Sequence, residues 1–349
     1  MAMEDFREKI VGNFRIEDKS LLRELLAEMI GTFMLVFIGT SANVQGAMPG
    51  GDAAVATIAW GIGFMFAVYL AASVSGGHLN PSISLAQLIL GNLSAGRMLS
   101  YWIVQVIGAF LGAGMTWFGH FDDLRYLGSG EKEVIGGNAT AGLFATYPTA
   151  HMSTWGSLFD QIIGTALLSG LVCLITDKRH KIPPGFIPPL AGTIMTMIAG
   201  TYGSNGGFAI NPARDLGPRL WLLCAGYGGA AFSAHSFYFW IPLVGPIIGA
   251  IIGAWIYKVF VGLHGGMDSI EVTKSSETQK GYQEDGVLIG YTSSQGGTMS
   301  SQYGVPPPPL PQAPIPSYPT YQTPTRSFQP ARDESTFSYS NPGYQRSYN

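Results

Sequence analysis

Charged side chains are scarce in this chain, since Asp, Glu, Lys and Arg together make up 12% of its 349 residues. Soluble globular domains average about 25%, so the composition excludes an ordinary soluble domain. Cysteine is rarer still. The two present, Cys173 and Cys224, fall in different apolar segments, which excludes a disulfide framework. The formal net charge is only −3, and we expect no nucleic-acid partner.

Apolar residues, in contrast, make up 47% of the chain and gather in long stretches. Six of these approach the roughly 20 residues that a membrane-spanning helix needs, at about residues 21–44, 53–74, 99–118, 158–175, 187–201 and 237–261. The sequence therefore predicts an all-α polytopic membrane protein in a lipid bilayer. These spans hold no nucleophile–base pair, metal cluster or phosphate loop, so we expect no enzymatic activity, cofactor or metal.

One sequence element occurs twice within the apolar region. The copies are SGGHLNPS at residues 75–82 and GGFAINPARD at residues 206–215, about 130 residues apart, and matching helix landmarks surround both. A broken backbone at membrane depth is tolerated only where it is buried in protein or lines a wet cavity. Each half of the chain has three spans, and an odd number inserts the second copy upside down relative to the first.

Each Asn-Pro pair predicts the start of a short helix, because Asn is a favourable N-cap and Pro fits the first helical position. In an inverted repeat the two starts face each other, which directs two positive dipole ends of about half an elementary charge at one point. Cations are repelled there, and fixed Asn amides donate to a passing oxygen and interrupt proton relay along a water file. The predicted pore motifs are Asn80, Pro81, Ser82, Asn211, Pro212 and Ala213.

The Lys and Arg residues indicate the orientation in the membrane. They precede the first and third spans and follow the fourth, which predicts cytoplasmic termini. The connection of residues 119–154 is then outside, where the sequon at Asn138 can be glycosylated, whereas the sequon at Asn92 is cytoplasmic and unused. The plasma membrane is the expected location.

Three segments are predicted: a cytoplasmic N-terminal segment at residues 1–20, a channel domain at residues 21–265, and a tail at residues 266–349. The tail is rich in Pro, Ser and Tyr and lacks the apolar mass to fold alone, so we expect disorder. Its proline run at residues 306–311 has Pro-x-x-Pro spacing, which fits an SH3 or WW ligand; a solvated tail without a dedicated partner is the alternative.

With these motifs, the chain resembles the aquaporin, or major intrinsic protein, family, and specifically its aquaglyceroporin branch. The resemblance implies a right-handed bundle of six tilted helices and two half-helices, assembled as a homotetramer with one pore per subunit. It also implies a selectivity filter toward the outside, and the matching positions are Trp60, Ala199, Phe208 and Arg214. Gly200 is the one-residue alternative to Ala199, and Asp215 supports the branch.

The chemistry of the four filter positions agrees with this resemblance. Trp60 and Phe208 would form an apolar corner for the carbon backbone of a small polyol, while Arg214 would donate to its hydroxyl groups. The guanidinium would also oppose the entry of cations.

One pore-motif residue and three supporting residues complete the comparison with the family pattern. Ser82 stands where the family usually has Ala, and Gln161 replaces a common Glu. Glu28 remains in the first repeat, where we expect it to pair with loop backbone. His78 precedes the first motif and is expected to brace its loop, with titration near neutral pH as the alternative.

The leading functional hypothesis is a passive channel for glycerol and water, with urea as a further candidate solute. A strict water channel would usually place His at position 199. An alternating-access carrier would share the inverted repeat but needs an ionisable coupling site, for which only Glu28 and Arg214 are available. A scaffold protein that acts through its cytoplasmic tail is the remaining alternative.

Overall fold

The computed structural model describes residues 20–264 together with residues 12, 15 and 16. The predicted tail, with its proline run, and most of the predicted N-terminal segment lie outside the described residues. Within them the chain is helical, with a single isolated bridge between Glu133 and Ala139. The α-helices are α1 (Leu21–Ala47), α2 (Ala53–Ser75), α3 (Pro81–Ile89), α4 (Ala95–Gly119), α5 (Phe121–Leu127), α6 (Thr154–Thr176), α7 (Ile187–Gly206), α8 (Pro212–Leu222), α9 (Ala230–Phe237) and α10 (Ile241–Tyr257).

Among the described residues, five helical segments are long and apolar enough to cross a membrane: α1, α2, α4, α6 and the region Ala230–Gly262 that contains α10. The sixth predicted span, α7, forms a helix of 20 residues but is not among these five. Its Gly, Thr and Asn content makes it less apolar, and it packs between α2 and α6. All six predicted spans are thus helical, and the all-α prediction is confirmed.

The two repeats are interlocked through their half-helices. The first half-helix, α3, packs against α10 of the second repeat, and the second, α8, packs against α4 of the first. Within each repeat the first and third spans pack together, α1 with α4 and α6 with α10. Because α3 packs against a span of the second repeat and α8 against a span of the first, the two Asn-Pro motifs meet inside the bundle.

Glycine permits the close approach of the first and third spans of each repeat. A Cβ atom at Gly108 would lie 2.2 Å from the Met29 carbonyl oxygen, and one at Gly249 would lie 2.2 Å from the Ile162 carbonyl oxygen. No other residue fits either position, since real Cβ atoms do not come so close to a backbone oxygen. Small residues at helix interfaces are typical of membrane bundles.

Candidate functional site

The two half-helices begin at the predicted residues. Asn80 is the N-cap of α3, and its Oδ1 accepts from the Ser82 backbone N–H at 2.8 Å. Asn211 is the N-cap of α8, and its Oδ1 accepts from the backbone N–H groups of Ala213 and Arg214 at 3.0 and 3.2 Å. The following proline occupies the first helical turn in both cases, as predicted from the preference of Pro for that position.

Each asparagine also reaches across to the opposite motif. Asn80 Nδ2 donates to the Ile210 carbonyl at 2.9 Å, and Asn211 Nδ2 donates to the Leu79 carbonyl at 2.8 Å. Leu79 and Ile210 have positive φ angles of 51° and 42°, which non-glycine residues rarely adopt. An amide nitrogen carries two N–H donors. One of the two forms this bond across the junction, and the second has no acceptor among the described residues.

Glu28 braces the loop that precedes the first half-helix. Its Oε1 accepts from Ser75 Oγ and the His78 backbone N–H at 2.6 and 2.8 Å, and its Oε2 accepts from the Leu79 N–H and Gln105 Nε2 at 2.7 and 2.8 Å. The side chain is fully buried. A buried carboxylate with four donors is well satisfied, so the expected pairing with loop backbone is present.

Gln161 is the counterpart of Glu28 in the second repeat, but it forms a different set of hydrogen bonds. Its Oε1 accepts from the Ile210 N–H at 3.0 Å, and its Nε2 donates to Asp160 Oδ2 at 3.0 Å. Asp160 Oδ1 in turn accepts from Asn205 Nδ2 at 2.7 Å. A glutamate here would face the Asp160 carboxylate instead of donating to it, which explains the amide at this position.

Three of the four predicted filter residues, Trp60, Phe208 and Arg214, come together in the structure. The rings of Trp60 and Phe208 meet edge to face, with centroids 5.6 Å apart and planes at 83°. The Arg214 guanidinium lies 4.4 Å from the Trp60 ring and 5.9 Å from the Phe208 ring. Ala199 belongs to the same buried cluster, whereas Gly200 is exposed and a Cβ atom there would meet nothing within 4 Å. The geometry therefore favours Ala199 over its alternative.

Arg214 is 4% exposed, and it is held in place by the connection of residues 119–154, which we call the outer connection after its predicted side of the membrane. Its Nη1 donates to the Phe144 carbonyl at 2.8 Å, while its Nε has no hydrogen-bond partner among the described residues. Two residues later, the Thr146 N–H and hydroxyl donate to Asp215 Oδ2 at 2.8 and 2.6 Å. Asp215 also forms a buried ion pair with Arg219 at 2.7 Å. The charge of Asp215 is therefore used to attach the outer connection, not to line the pore.

A cavity continues from the junction toward the other end of the bundle. Asn80, Asn211, Gly77 and His78 supply polar groups on its wall. The remaining lining consists of Thr176 and a larger apolar set: Phe64, Val68, Ile83, Leu168, Val172, Ile175, Ile187, Ala191 and Met195. One polar line beside an apolar wall suits a small solute that has both carbon and hydroxyl groups.

Two further predicted positions lie at the first motif, His78 in its loop and Ser82 at the start of α3. His78 is 2% exposed, and its Nδ1 lies 3.1 Å from Ser84 Oγ while its ring meets Tyr101 edge to face. These contacts agree with a bracing role. The Ser82 hydroxyl is buried and has no hydrogen-bond partner among the described residues. Nothing in the structure explains the serine at that position.

Asn138, the predicted glycosylation site, lies in the outer connection and is partly exposed, and its Oδ1 accepts from Ser129 Oγ at 3.4 Å. Asn92, in the other sequon, is exposed beyond the end of α3.

Sequence reasoning missed the residues that hold the filter, among them Asn43, Phe144, Thr146 and Arg219. Phe144 acts through its backbone carbonyl, which carries no sequence signature. Asn43 accepts from Trp60 Nε1 at 2.9 Å, although it stands outside every motif in the chain. For Arg219 the sequence did offer one signal. An arginine within an apolar segment needs a partner, and that requirement could have pointed to its ion pair.

Comparison with known proteins gives independent support for the family resemblance. The model of the family described as major intrinsic protein matches residues 15–257. Human Aquaporin-9 is 38% identical over 277 residues, covering 77% of this chain and 93% of that protein. Human Aquaporin-10 is 37% identical over 261 residues, covering 73% and 86%. Among solved structures, the aquaglyceroporin from Plasmodium falciparum matches with a TM-score of 0.64 and 29% identity, covering 70% of this chain and 98% of that chain.

Proposed function

The chain belongs to the major intrinsic protein family, and we propose that it is a passive membrane channel for glycerol and water. The relatives it matches are named aquaporins, and the matching solved structure is named an aquaglyceroporin. The observation that carries the proposal is the composition of the filter: two aromatic rings at a right angle, one guanidinium, and a small residue at position 199.

The filter explains how a three-carbon polyol can leave water. Its carbon backbone packs against Trp60 and Phe208, while Arg214 donates to its hydroxyl groups. Past the filter, the second N–H of Asn80 and Asn211 replaces part of the lost hydration. Each polar group of the solute thus keeps a partner, because an unpaired one costs about 1–3 kcal/mol. Urea meets the same polar and steric requirements and is a further proposed solute.

Ion and proton exclusion is proposed to result from the same parts. The helix starts at Pro81 and Pro212 present two positive dipole ends to the passage, and the Arg214 guanidinium adds a full charge. The fixed Asn donors orient the water oxygens, which opposes a continuous proton relay.

The remaining features of the protein are proposed from the sequence. We propose a homotetramer in the plasma membrane with both termini in the cytoplasm and a glycan on Asn138. The channel domain is proposed to end near residue 265, and the tail beyond it to bind an SH3- or WW-type partner through its proline run.

Stopped-flow light scattering on reconstituted liposomes tests the proposed channel. Glycerol should cause rapid shrinkage and reswelling, whereas sorbitol should cause shrinkage alone, with urea as a third solute. Water flux without glycerol flux would indicate a strict water channel. Saturable uptake coupled to an ion gradient would indicate a carrier. Vesicles that pass neither water nor glycerol would favour the scaffold alternative, in which the tail is the functional part.

A further inference from the structure

Asn43 joins three separate parts of the outer half of the channel. It lies near the end of α1, where its Oδ1 accepts from Trp60 Nε1 of α2 at 2.9 Å. Its Nδ2 donates to the Leu143 carbonyl of the outer connection at 2.9 Å. Both polar ends of one amide are therefore bound by protein, one of them by a residue of the filter.

The same face of α1 provides space for the indole. Gly39 lies one helical turn before Asn43, and a Cβ atom at Gly39 would lie 2.3 Å from the Trp60 ring. The ring therefore lies directly against the backbone of α1, with Asn43 binding its edge. Trp60 is 1% exposed, so its N–H depends on this one acceptor.

This arrangement determines which groups the filter offers to a solute. Because Asn43 uses the indole N–H, Trp60 presents only its apolar face, and hydroxyl groups must turn toward Arg214. The outer connection binds both Asn43 and Arg214. The Leu143 carbonyl accepts from Asn43, and the next carbonyl, of Phe144, accepts from Arg214 at 2.8 Å. The distance between the apolar wall and the guanidinium is thus set by two adjacent peptide groups.

We propose that Asn43 is a specificity-determining positioning residue of the filter, which fixes the Trp60 indole and so limits the length of polyol that passes. The inference rests on the proposed function of the channel. Without the amide, the indole N–H and the Leu143 carbonyl lose their partners in a buried site, and the ring is no longer held at its angle to Phe208 and Arg214. Longer polyols then gain entry relative to glycerol.

Asn43→Val tests the proposal, because valine has a similar volume and no hydrogen-bonding group. The measurement is the permeability ratio of a four-carbon polyol to glycerol in the same preparation of proteoliposomes, which cancels protein density. We expect the ratio to rise about fivefold, the change that corresponds to one neutral hydrogen bond.

Thr40→Val is the matched control. Thr40 lies on the same helix, is fully buried and forms a side-chain hydrogen bond with Thr116 at 2.7 Å, but it binds no filter residue. Its loss should leave the ratio unchanged. An equal rise in both variants would mean that α1 had merely loosened, which would overturn the proposal.

Trp60→Phe removes the same hydrogen bond from the other side and remains informative if Asn43→Val does not assemble. Trp60→Phe should raise the ratio, and adding Asn43→Val to it should cause little further change. A full additional rise in the double variant would show that Asn43 does not act through Trp60.

The possible failures are distinguishable. Wild-type vesicles that pass no glycerol would overturn the proposed function and this inference together. Wild-type vesicles that pass glycerol, with an unchanged ratio in Asn43→Val or in Trp60→Phe, would overturn the inference alone.

Discussion

We predict that the side chain at position 199 borders the filter, where a small residue leaves room for a polyol. Ala199→His should therefore reduce glycerol flux at least tenfold while reducing water flux far less. The imidazole would fill the space, and a polyol unable to keep its hydroxyl groups paired loses roughly 1–3 kcal/mol for each one. Glycerol and water permeabilities of purified protein in liposomes, at matched density, give the result.

Gly200→His is the control for this substitution. Position 200 is exposed, and a Cβ atom there meets no neighbour within 4 Å, so the added ring should point away from the filter. Equal glycerol-to-water ratios in the wild type and both variants would contradict a role for position 199 in selectivity.

Arg214 contributes the one full charge of the proposed filter, so its removal separates the effect of that charge from the effect of the helix dipoles. Arg214→Val should admit measurable ion or proton leak while neutral solutes still pass, because the half-helices alone then oppose cations. Electrical recording in planar bilayers detects the leak. Exclusion as tight as in the wild type would assign the barrier wholly to the half-helices.

At the scale of single residues, the sequence predicted the filter residues but not those that hold them in place. Trp60, Phe208 and Arg214 follow from a family resemblance, and their proximity is observed. Asn43 and Leu143 are 100 residues apart in the chain, and one of the two interacts through a backbone carbonyl. Such a contact depends on the path of the outer connection, which no local pattern encodes.

The half-helices are the elements best predicted from sequence, because N-capping by Asn and the preference of Pro for the first turn act locally. Span limits were predicted within a few residues for α1 and α2. The last span differs: α10 begins at Ile241, four residues after the predicted start, because Phe237 has a positive φ angle of 62° and Tyr238–Trp240 form a 3-10 helix. A hydrophobic stretch does not reveal such an interruption, since apolar residues continue through it.

The two loop anchors, Glu28 before the first half-helix and Gln161 at the second, differ in chemistry, and this difference is testable. Gln161→Glu should destabilise the protein by roughly 1–3 kcal/mol, because a donor to Asp160 becomes a second buried acceptor. Thermal unfolding followed by size-exclusion chromatography measures the loss. Asp160→Asn added to Gln161→Glu should restore much of the stability, since an amide at 160 can donate to the new carboxylate. Equal loss of stability in the single and double variants would show that the broken hydrogen bond between Gln161 and Asp160 is not the cause.

The orientation of the whole molecule is predicted from the distribution of Lys and Arg. Asn138 should carry the only glycan, because Asn92 follows α3 on the side predicted to be cytoplasmic. Enzymatic deglycosylation of the wild type and of Asn138→Gln, followed by gel mobility, tests this. A glycan that remains in Asn138→Gln and disappears on Asn92→Gln would reverse the topology.

Residues beyond 265 should be dispensable for permeation, because the filter, the Asn-Pro junction and both anchors lie within residues 28–215. A chain truncated after Gly265 keeps the contacts that fix its end: Arg179 Nη1 donates to the carbonyls of Val261 and His264 at 3.3 and 3.0 Å. Arg179 also holds the pKa of the Asp177 carboxyl well below its usual range through a hydrogen bond, so this ion pair is intact at neutral pH.

The truncated protein, reconstituted at equal density, should therefore retain its glycerol flux. Truncation after Tyr257 is the control: it removes both carbonyl acceptors of Arg179 together with the last turn of the final span, and should lower the unfolding temperature. If the chain ending at Gly265 lost most of its flux while unfolding at the wild-type temperature, the tail would have to contribute to the pore or its gating. Such a result would contradict a channel that is complete within residues 21–265.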